Sequence, residues 1–252
     1  MGNALVTGAS RGIGRATAIA LSRRGDRVAV HYGSDRPSAE QTLALLEGDG
    51  HVLVGGDLSD AETARAVVDE ARAGLGALDI LVNNAAVAPS AATFHRVDKT
   101  DYESWQRAWK LMVDVDLTAA ANVTYLFATA LIDAGLPGTI VNTGSRGANR
   151  GEPDFPAYGA AKAGLHAFGQ SMAVALAPHG IAVATVSPGF VGTERQEPTL
   201  TSATGDAVRA QSPFGRVGTS EEVAAAVVYL TSPEAQWASG AVLDLNGASY
   251  LR

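Results

Sequence analysis

Short β-branched apolar runs recur along the chain, separated by longer stretches whose apolar positions return every third or fourth residue. The short runs predict strands at Asn3–Thr7, Arg27–Tyr32, His51–Gly55, Asp79–Asn83, Thr139–Thr143, Ile181–Val186 and Val242–Leu245. The longer ones predict helices over Gly14–Arg24, Ala61–Leu75, Tyr102–Ala134, Ala157–Ala177 and Glu221–Leu230. Strand and helix alternate, and right-handed crossovers then demand a doubly wound, mostly parallel seven-stranded sheet with helices on both faces, an α/β class. No repeat or linker divides residues 1–252, so a single domain is expected. Pro188–Arg216 is the exception in texture, because Pro188, Gly189, Gly192, Pro198, Gly205, Pro213 and Gly215 interrupt a polar stretch without a period. A loop of that length in a compact domain is usually functional, and a substrate lid over 188–216 is the expectation.

Composition narrows the partners. A formal net charge of −7 with scattered Lys and Arg leaves no basic footprint for nucleic acid or anionic lipid. The absence of Cys removes disulfides, thiolate metal sites and cysteine nucleophiles. No His/Asp/Glu cluster has metal-ligand spacing, so no metal is expected. Met1-Gly2-Asn3 runs straight into apolar Ala4-Leu5-Val6, with no charged leader and no later apolar run of about 18 residues, which favours a cytoplasmic location.

Three groups of residues carry chemistry. Thr7-Gly8-Ala9-Ser10-Arg11-Gly12-Ile13-Gly14 joins the first strand to the first helix. Glycines allow close backbone approach there, and a helix N-terminus offers unpaired N–H groups to a pyrophosphate. The alternative is a plain tight turn. Tyr158 and Lys162, four residues apart, share one helix face, so an ammonium can stand near a phenol and lower its pKa. Ser145 lies thirteen residues upstream of the tyrosine.

The G-x-x-x-G-x-G spacing, Asn83-Asn84-Ala85, Ser145, Tyr158-x-x-x-Lys162 and Pro188-Gly189-x-x-x-Thr193 follow one another in an order that resembles the short-chain dehydrogenase/reductase family over essentially the whole chain. The texture is similar to the branch of 3-oxoacyl-acyl-carrier-protein reductases and of ketone and sugar-alcohol dehydrogenases. The resemblance implies a Rossmann-type domain and an oxidoreductase acting between nicotinamide and a ketone or secondary alcohol, with a 3-oxoacyl thioester as a candidate substrate. It assigns Tyr158 as acid or base, Ser145 as donor to the substrate oxygen, and Lys162 as holder of the nicotinamide ribose. Gly8, Ser10, Ile13, Gly12 and Gly14 would cradle the cofactor, Asn84 and Ala85 would flank it, and Pro188, Gly189, Val191 and Thr193 would line its carboxamide. A homotetramer built on Tyr102–Ala134 and Ala157–Ala177 is also implied. The competing class is a non-catalytic dinucleotide-sensing or scaffold protein, which needs neither acid nor oxygen donor. A hydrolase triad is disfavoured because no G-x-S-x-G surrounds Ser145.

Counting along the second strand puts Tyr32 where a carboxylate would select NAD(H) by holding the ribose and repelling a 2′-phosphate. With Arg11 in the glycine turn and Ser34 nearby, NADP(H) is the preferred cofactor, NAD(H) remaining open. Asp35 opposes that choice, and Arg36 beside it is expected to neutralise it. Asp57 and Leu58 resemble an adenine-pocket pair, although Asp57 could instead cap the next helix, as could Ser59 or Asp60. Asp116 takes the place where the family usually has an asparagine holding a relay water, with Asn122 as the other register. His166 is read as a packed or interface histidine, and Arg146, Arg150 and Arg195 as residues of the cleft mouth facing an acidic substrate or solvent.

Overall fold

The structure is a computed structural model and describes residues 2–251. Seven strands form one parallel sheet: β1 (Asn3–Val6), β2 (Arg27–Tyr32), β3 (Val52–Gly55), β4 (Ile80–Asn83), β5 (Gly138–Thr143), β6 (Ile181–Pro188) and a last strand, Val242–Leu245. Their order is β3-β2-β1-β4-β5-β6 followed by Val242–Leu245. The order reverses between β1 and β4, which is the point where such sheets open a crevice at their carboxyl ends.

Alternation along the strands builds two cores. Leu5, Ala29, Leu81, Ile140 and Val183 point to one side, where they meet α3 (Ala61–Leu75), α5 (Ala119–Ala134) and α7 (Pro156–Leu176). Val6, Val28, Val30, Val82, Val141 and Val186 point to the other side, against α1 (Gly12–Arg24), α2 (Arg36–Ala44) and α10 (Ser220–Leu230). Burial on both faces is why the strands read as continuous apolar runs.

Local signals set the helix ends. Asp60 accepts from Thr63 N at 2.8 Å and starts α3, whose stripe Ala64, Val67, Val68, Ala71 and Leu75 is buried. Gly25, at φ 97°, ends α1. The helix α2 has no counterpart in the periodicity, because only Ala39 and Thr42 are buried along it; Asp35 caps it by accepting from Ser38 N at 3.1 Å.

The long helix expected over Tyr102–Ala134 is two helices, α4 (Tyr102–Val113) and α5, joined by a π turn at Asp114–Thr118. By length and composition the whole stretch could span a bilayer, which amends the reading that no such segment exists. Its buried residues pack on α3 and α7, as expected of a core helix. Beyond β6 the irregular stretch contains β7 (Val191–Gly192), α6 having preceded it at Gly147–Arg150, then α8 (Glu197–Leu200) and α9 (Gly205–Arg209). A strand pair β7–β8 (Gly218–Thr219) closes it before α10, and Val242–Leu245 is β9.

Candidate active site

The glycine turn is fixed from three sides. Gly8 and Gly12 sit at φ 63° and 55°, a conformation L side chains rarely adopt, and a Cβ on Gly8 would also meet Ala85 Cα at 2.8 Å. Thr7 Oγ1 accepts from Asn84 N and Ala85 N at 2.9 and 3.0 Å, and Asn84 Nδ2 donates to the carbonyls of Thr7 and Gly8. From below, Gly8 N donates to His31 Nδ1 at 3.0 Å. That nitrogen therefore carries no proton, and Nε2–H donates to Gly56 O, also at 3.0 Å. Burial pushes the His31 pKa down to about 4, against an opposing pull from the Gly56 carbonyl and Asp57. No side chain caps the start of α1, and its first residues Gly12, Ile13 and Gly14 line the cleft, where a helix N-terminus suits a phosphate group.

The adenosine end departs from expectation at two residues. Tyr32 turns away from the cleft and lays its ring over Gly55. Side chains alternate along a strand, and it is His31 that faces inward. Asp35 is neutralised by Arg11 at 2.9 Å, while Arg36 is occupied with Glu40 at 2.8 Å and with Tyr32. Hydrogen bonds from Ser38, with help from Arg11 and Arg15, hold the Asp35 carboxyl below the usual range. Ser34, Asp57 and Leu58 line the cleft; Asp57 accepts from Ser59 N and leaves the capping of α3 to Asp60.

Ser145, Tyr158 and Lys162 converge at the other end. The end of β5 delivers Ser145, whose Oγ accepts from Gly147 N at 3.0 Å and which lines the cleft beside Tyr158. The buried Lys162 donates from Nζ to Thr143 O at 3.0 Å and stands 5.8 Å from the centroid of the Tyr158 ring. Asp116 sits on the π turn, buried just behind the cleft wall. Its Oδ1 accepts from Val87 N at 2.6 Å, and its Oδ2 has no partner. Burial raises the Asp116 pKa, and Lys162, the Val87 N–H and Arg195 pull it back. Lys162 is lowered by burial and raised by Asp116.

The expectation of a depressed tyrosine is reversed in this state. Burial raises the Tyr158 phenol most, Asp116 and Glu152 add to the rise, and Ser145 and Arg195 oppose it. Lys162 donates to the Thr143 carbonyl and does not figure among the groups that oppose the rise.

Two histidines act as props. His166 accepts from Ser145 N at 3.4 Å and is packed rather than exposed to the cleft. His95, fully buried, accepts from Ala157 N at 2.9 Å, so its Nδ1–H donates to Thr93 O at 2.7 Å. Phe155 and Trp105 stand edge-on to its ring. His95 thereby ties the turn at Ala91–Thr93, on the cleft rim, to the first turn of α7 immediately before Tyr158.

The cleft has a volume of about 840 Å³, within the range of small-molecule sites. It brings together the site residues expected from the sequence except Tyr32 and Asp116, and of the three arginines expected at its mouth it is lined by Arg146 and Arg195 but not Arg150. It also presents residues the sequence did not single out, among them His31, Glu152, Phe155 and Phe190. Of these, only His31 stood in a position that strand alternation could have marked.

Comparison with known proteins agrees with this geometry. The family model described as enoyl-(acyl carrier protein) reductase matches residues 8–247. The L-rhamnose 1-dehydrogenase (NAD(P)(+)) of Sphingomonas sp. is 34% identical over 250 residues, covering 98% of this chain and 95% of its own. The 3-oxoacyl-[acyl-carrier-protein] reductase of Vibrio harveyi is 36% identical over 253 residues, covering 98% and 97%. A short-chain dehydrogenase from Burkholderia cenocepacia in complex with NADP superposes with a TM-score of 0.87 at 31% identity, covering 98% of this chain and 97% of that one. Sheet order, glycine turn and the convergence of Ser145, Tyr158 and Lys162 thus coincide with close likeness along nearly the full length: the chain belongs to the short-chain dehydrogenase/reductase family, enzymes that act on CH–OH and carbonyl groups with NAD(P).

Proposed function

We propose that this protein is an NADP(H)-preferring oxidoreductase that interconverts a ketone and a secondary alcohol. The observation that carries the reading is the convergence of Ser145, Tyr158 and Lys162 at the wall of a cleft whose far end is a glycine turn. Bound nicotinamide supplies the hydride. Ser145 Oγ and Tyr158 Oη hold the substrate oxygen, on which negative charge develops during reduction, and Tyr158 Oη gives it a proton. A phenol raised by burial is in its protonated form at neutral pH, which suits the acid of the reductive direction. Lys162 stands close by with its Nζ on Thr143 O, and Asp116 holds the Val87 backbone against the π turn.

A lid over 188–216 is part of the reading. Its first residues already reach across the cleft, Glu194 to Arg15 at 3.4 Å and Arg195 to Ala86 O at 3.5 Å. A homotetramer is supported by exposed Tyr102, Leu111, Tyr125 and Val174 on α4, α5 and α7. Since the Vibrio relative reduces a 3-oxoacyl carrier and the Sphingomonas relative oxidises a sugar, both a 3-oxoacyl thioester and a hydroxylated alcohol enter the first assay. The test is NADPH consumption with a carbonyl panel by the wild type, by Tyr158→Phe and by Ser145→Ala. Turnover lost in both variants with cofactor binding retained supports an enzyme; cofactor binding with no turnover of any compound supports the sensor class instead.

A further inference from the structure

Glu152 is a half-buried carboxylate on the cleft wall that the reaction as described does not use. Its place is tightly defined. A Cβ on Gly147 would meet Glu152 Oε1 at 2.6 Å and Cδ at 3.2 Å, and a Cβ on Gly159 would meet its Cβ at 3.5 Å. Gly147 is the residue whose N–H holds Ser145 Oγ at 3.0 Å, and Gly159 follows Tyr158. The Glu152 side chain therefore packs between Gly147, two residues after Ser145, and Gly159, next to Tyr158, with its carboxylate against Gly147. Any side chain at Gly147 would displace it.

Among the described residues no hydrogen bond or ion pair engages the Glu152 carboxylate. Arg146 and Arg150 act on it only through space. The hydrogen bonds these two arginines make go to neutral groups, Arg146 to Ser249 and Gln211 and Arg150 to Gln211 at 3.0 Å. An acceptor partly removed from water gains most from a donor brought by the substrate. The surrounding charge restricts that donor. Arg146 and Arg150 disfavour an ammonium, and the carboxylate itself disfavours an acid or a thioester carbonyl at that spot. A neutral donor is left, and a hydroxyl is the one that a small alcohol or hydroxyketone substrate carries.

Resting on the oxidoreductase reading above, we propose that Glu152 accepts a hydrogen bond from a hydroxyl on the carbon next to the reacting one, so that the preferred substrates are vicinal diols, sugars and hydroxyketones. Glu152 is then a specificity-determining residue, and the 3-oxoacyl thioester becomes the poorer substrate.

A matched pair tests this: cyclohexane-1,2-diol (both isomers) and cyclohexanol, oxidised with NADP⁺ by the wild type, Glu152→Gln and Glu152→Ala, with reduction of the acetoacetyl thioester of N-acetylcysteamine alongside. The expected wild-type preference, as a ratio of kcat/KM, is on the order of tenfold or more for the better diol isomer, the size of a site built around a substrate hydroxyl. Glu152→Ala is expected to bring that ratio to within about twofold of unity, chiefly through KM for the diol, while Glu152→Gln, whose amide oxygen still accepts, keeps part of it. A wild type that oxidises cyclohexanol as well as either diol, or a ratio that survives Glu152→Ala, overturns the proposal and leaves the oxidoreductase intact. So does a wild type that reduces the thioester and ignores the diols. Failure to turn over any of these compounds or any ketone of the panel overturns both readings. Because the wild-type ratio is decisive by itself, a variant that fails to fold does not remove the test.

Discussion

The Arg11 guanidinium donates to the Asp35 carboxylate at 2.9 Å, so the cation of the glycine turn is held by an anion just beyond β2. A 2′-phosphate must compete with Asp35 for Arg11, whereas a ribose hydroxyl need not. Arg11→Ala is therefore expected to weaken NADPH by roughly tenfold and NADH by less than about twofold, as fits loss of a charge-assisted contact to phosphate. Asp35→Asn should act in the opposite sense and tighten NADPH by roughly threefold, since the pair is solvent-exposed and screened. Fluorescence titration of both cofactors measures both effects, and tighter NADH than NADPH binding by the wild type would contradict the NADP(H) preference.

His31 links the same turn to pH. Its folded pKa, about 4, lies below the usual histidine value of 6.5. A lowered histidine binds protons more readily when unfolded, so its contribution to stability is fully present above pH 6.5 and is lost as pH falls towards 4. For a fully buried ring the loss is ~3 kcal/mol by linkage. Denaturant melts between pH 7 and pH 4 should show a steeper decline for the wild type than for His31→Asn, whose amide can accept from Gly8 N and donate to Gly56 O. Parallel declines would mean that the imidazole is not neutral in the folded state.

The two ends of the cleft were legible in the sequence to different degrees. Glycine spacing encodes a backbone conformation and Tyr158–Lys162 a helix face, and both survive any uncertainty in tertiary packing. Tyr32 was misplaced because a position found by counting to a strand end carries a two-fold uncertainty of face, and a shift of one residue exchanges inside for outside. The helix α2 escaped because its apolar stripe is too thin to show a period. The π turn has no apolar signature, since it changes the phase of a helix and not its composition. His95 and Glu152 depend on contacts with Ala157 and Gly147 made by folding. For Asp116, burial and the orphan oxygen belong to the packed state.

His95 provides a measure of how closely the first turn of α7 must be held. His95→Phe keeps an aromatic ring between Phe155 and Trp105 but leaves Ala157 N–H unpaired, at a cost of about 1–3 kcal/mol. The expected outcome is a fall in kcat on the order of tenfold with cofactor affinity little changed, and partial recovery in His95→Gln, whose oxygen can accept the bond. Equal losses of stability with no change in kcat in the surviving folded protein would restrict His95 to a structural role.

Assembly is tested through the exposed apolar residues of α5 and α7. Tyr125 and Val174 are 67% and 79% exposed in the isolated chain, a poor position for them unless another copy covers them. Sedimentation should show a tetramer at micromolar concentration, and Tyr125→Asp with Val174→Asp should shift it to smaller species without unfolding the chain. A monomeric wild type would refute the proposed assembly.

Asp116 is the last test, and it gives a direction. Its carboxylate raises the Tyr158 phenol and raises Lys162, so it favours the charged lysine while opposing the tyrosinate. Oxidation of an alcohol needs tyrosinate as base, and its rate should climb only at alkaline pH. Asp116→Asn preserves an oxygen to accept from Val87 N, now at 2.6 Å, and removes the charge. The phenol pKa should fall, and the alkaline limb of the oxidation profile should move down by about one pH unit. The same substitution withdraws support from the lysine charge, which would push the limb the other way if Lys162 governed it. A downward shift with cofactor affinity and oligomeric state preserved identifies the Asp116 charge as the dominant influence on Tyr158. An unchanged or upward limb would show that Asp116 is protonated under assay conditions, as its burial favours, or that it acts mainly through Lys162.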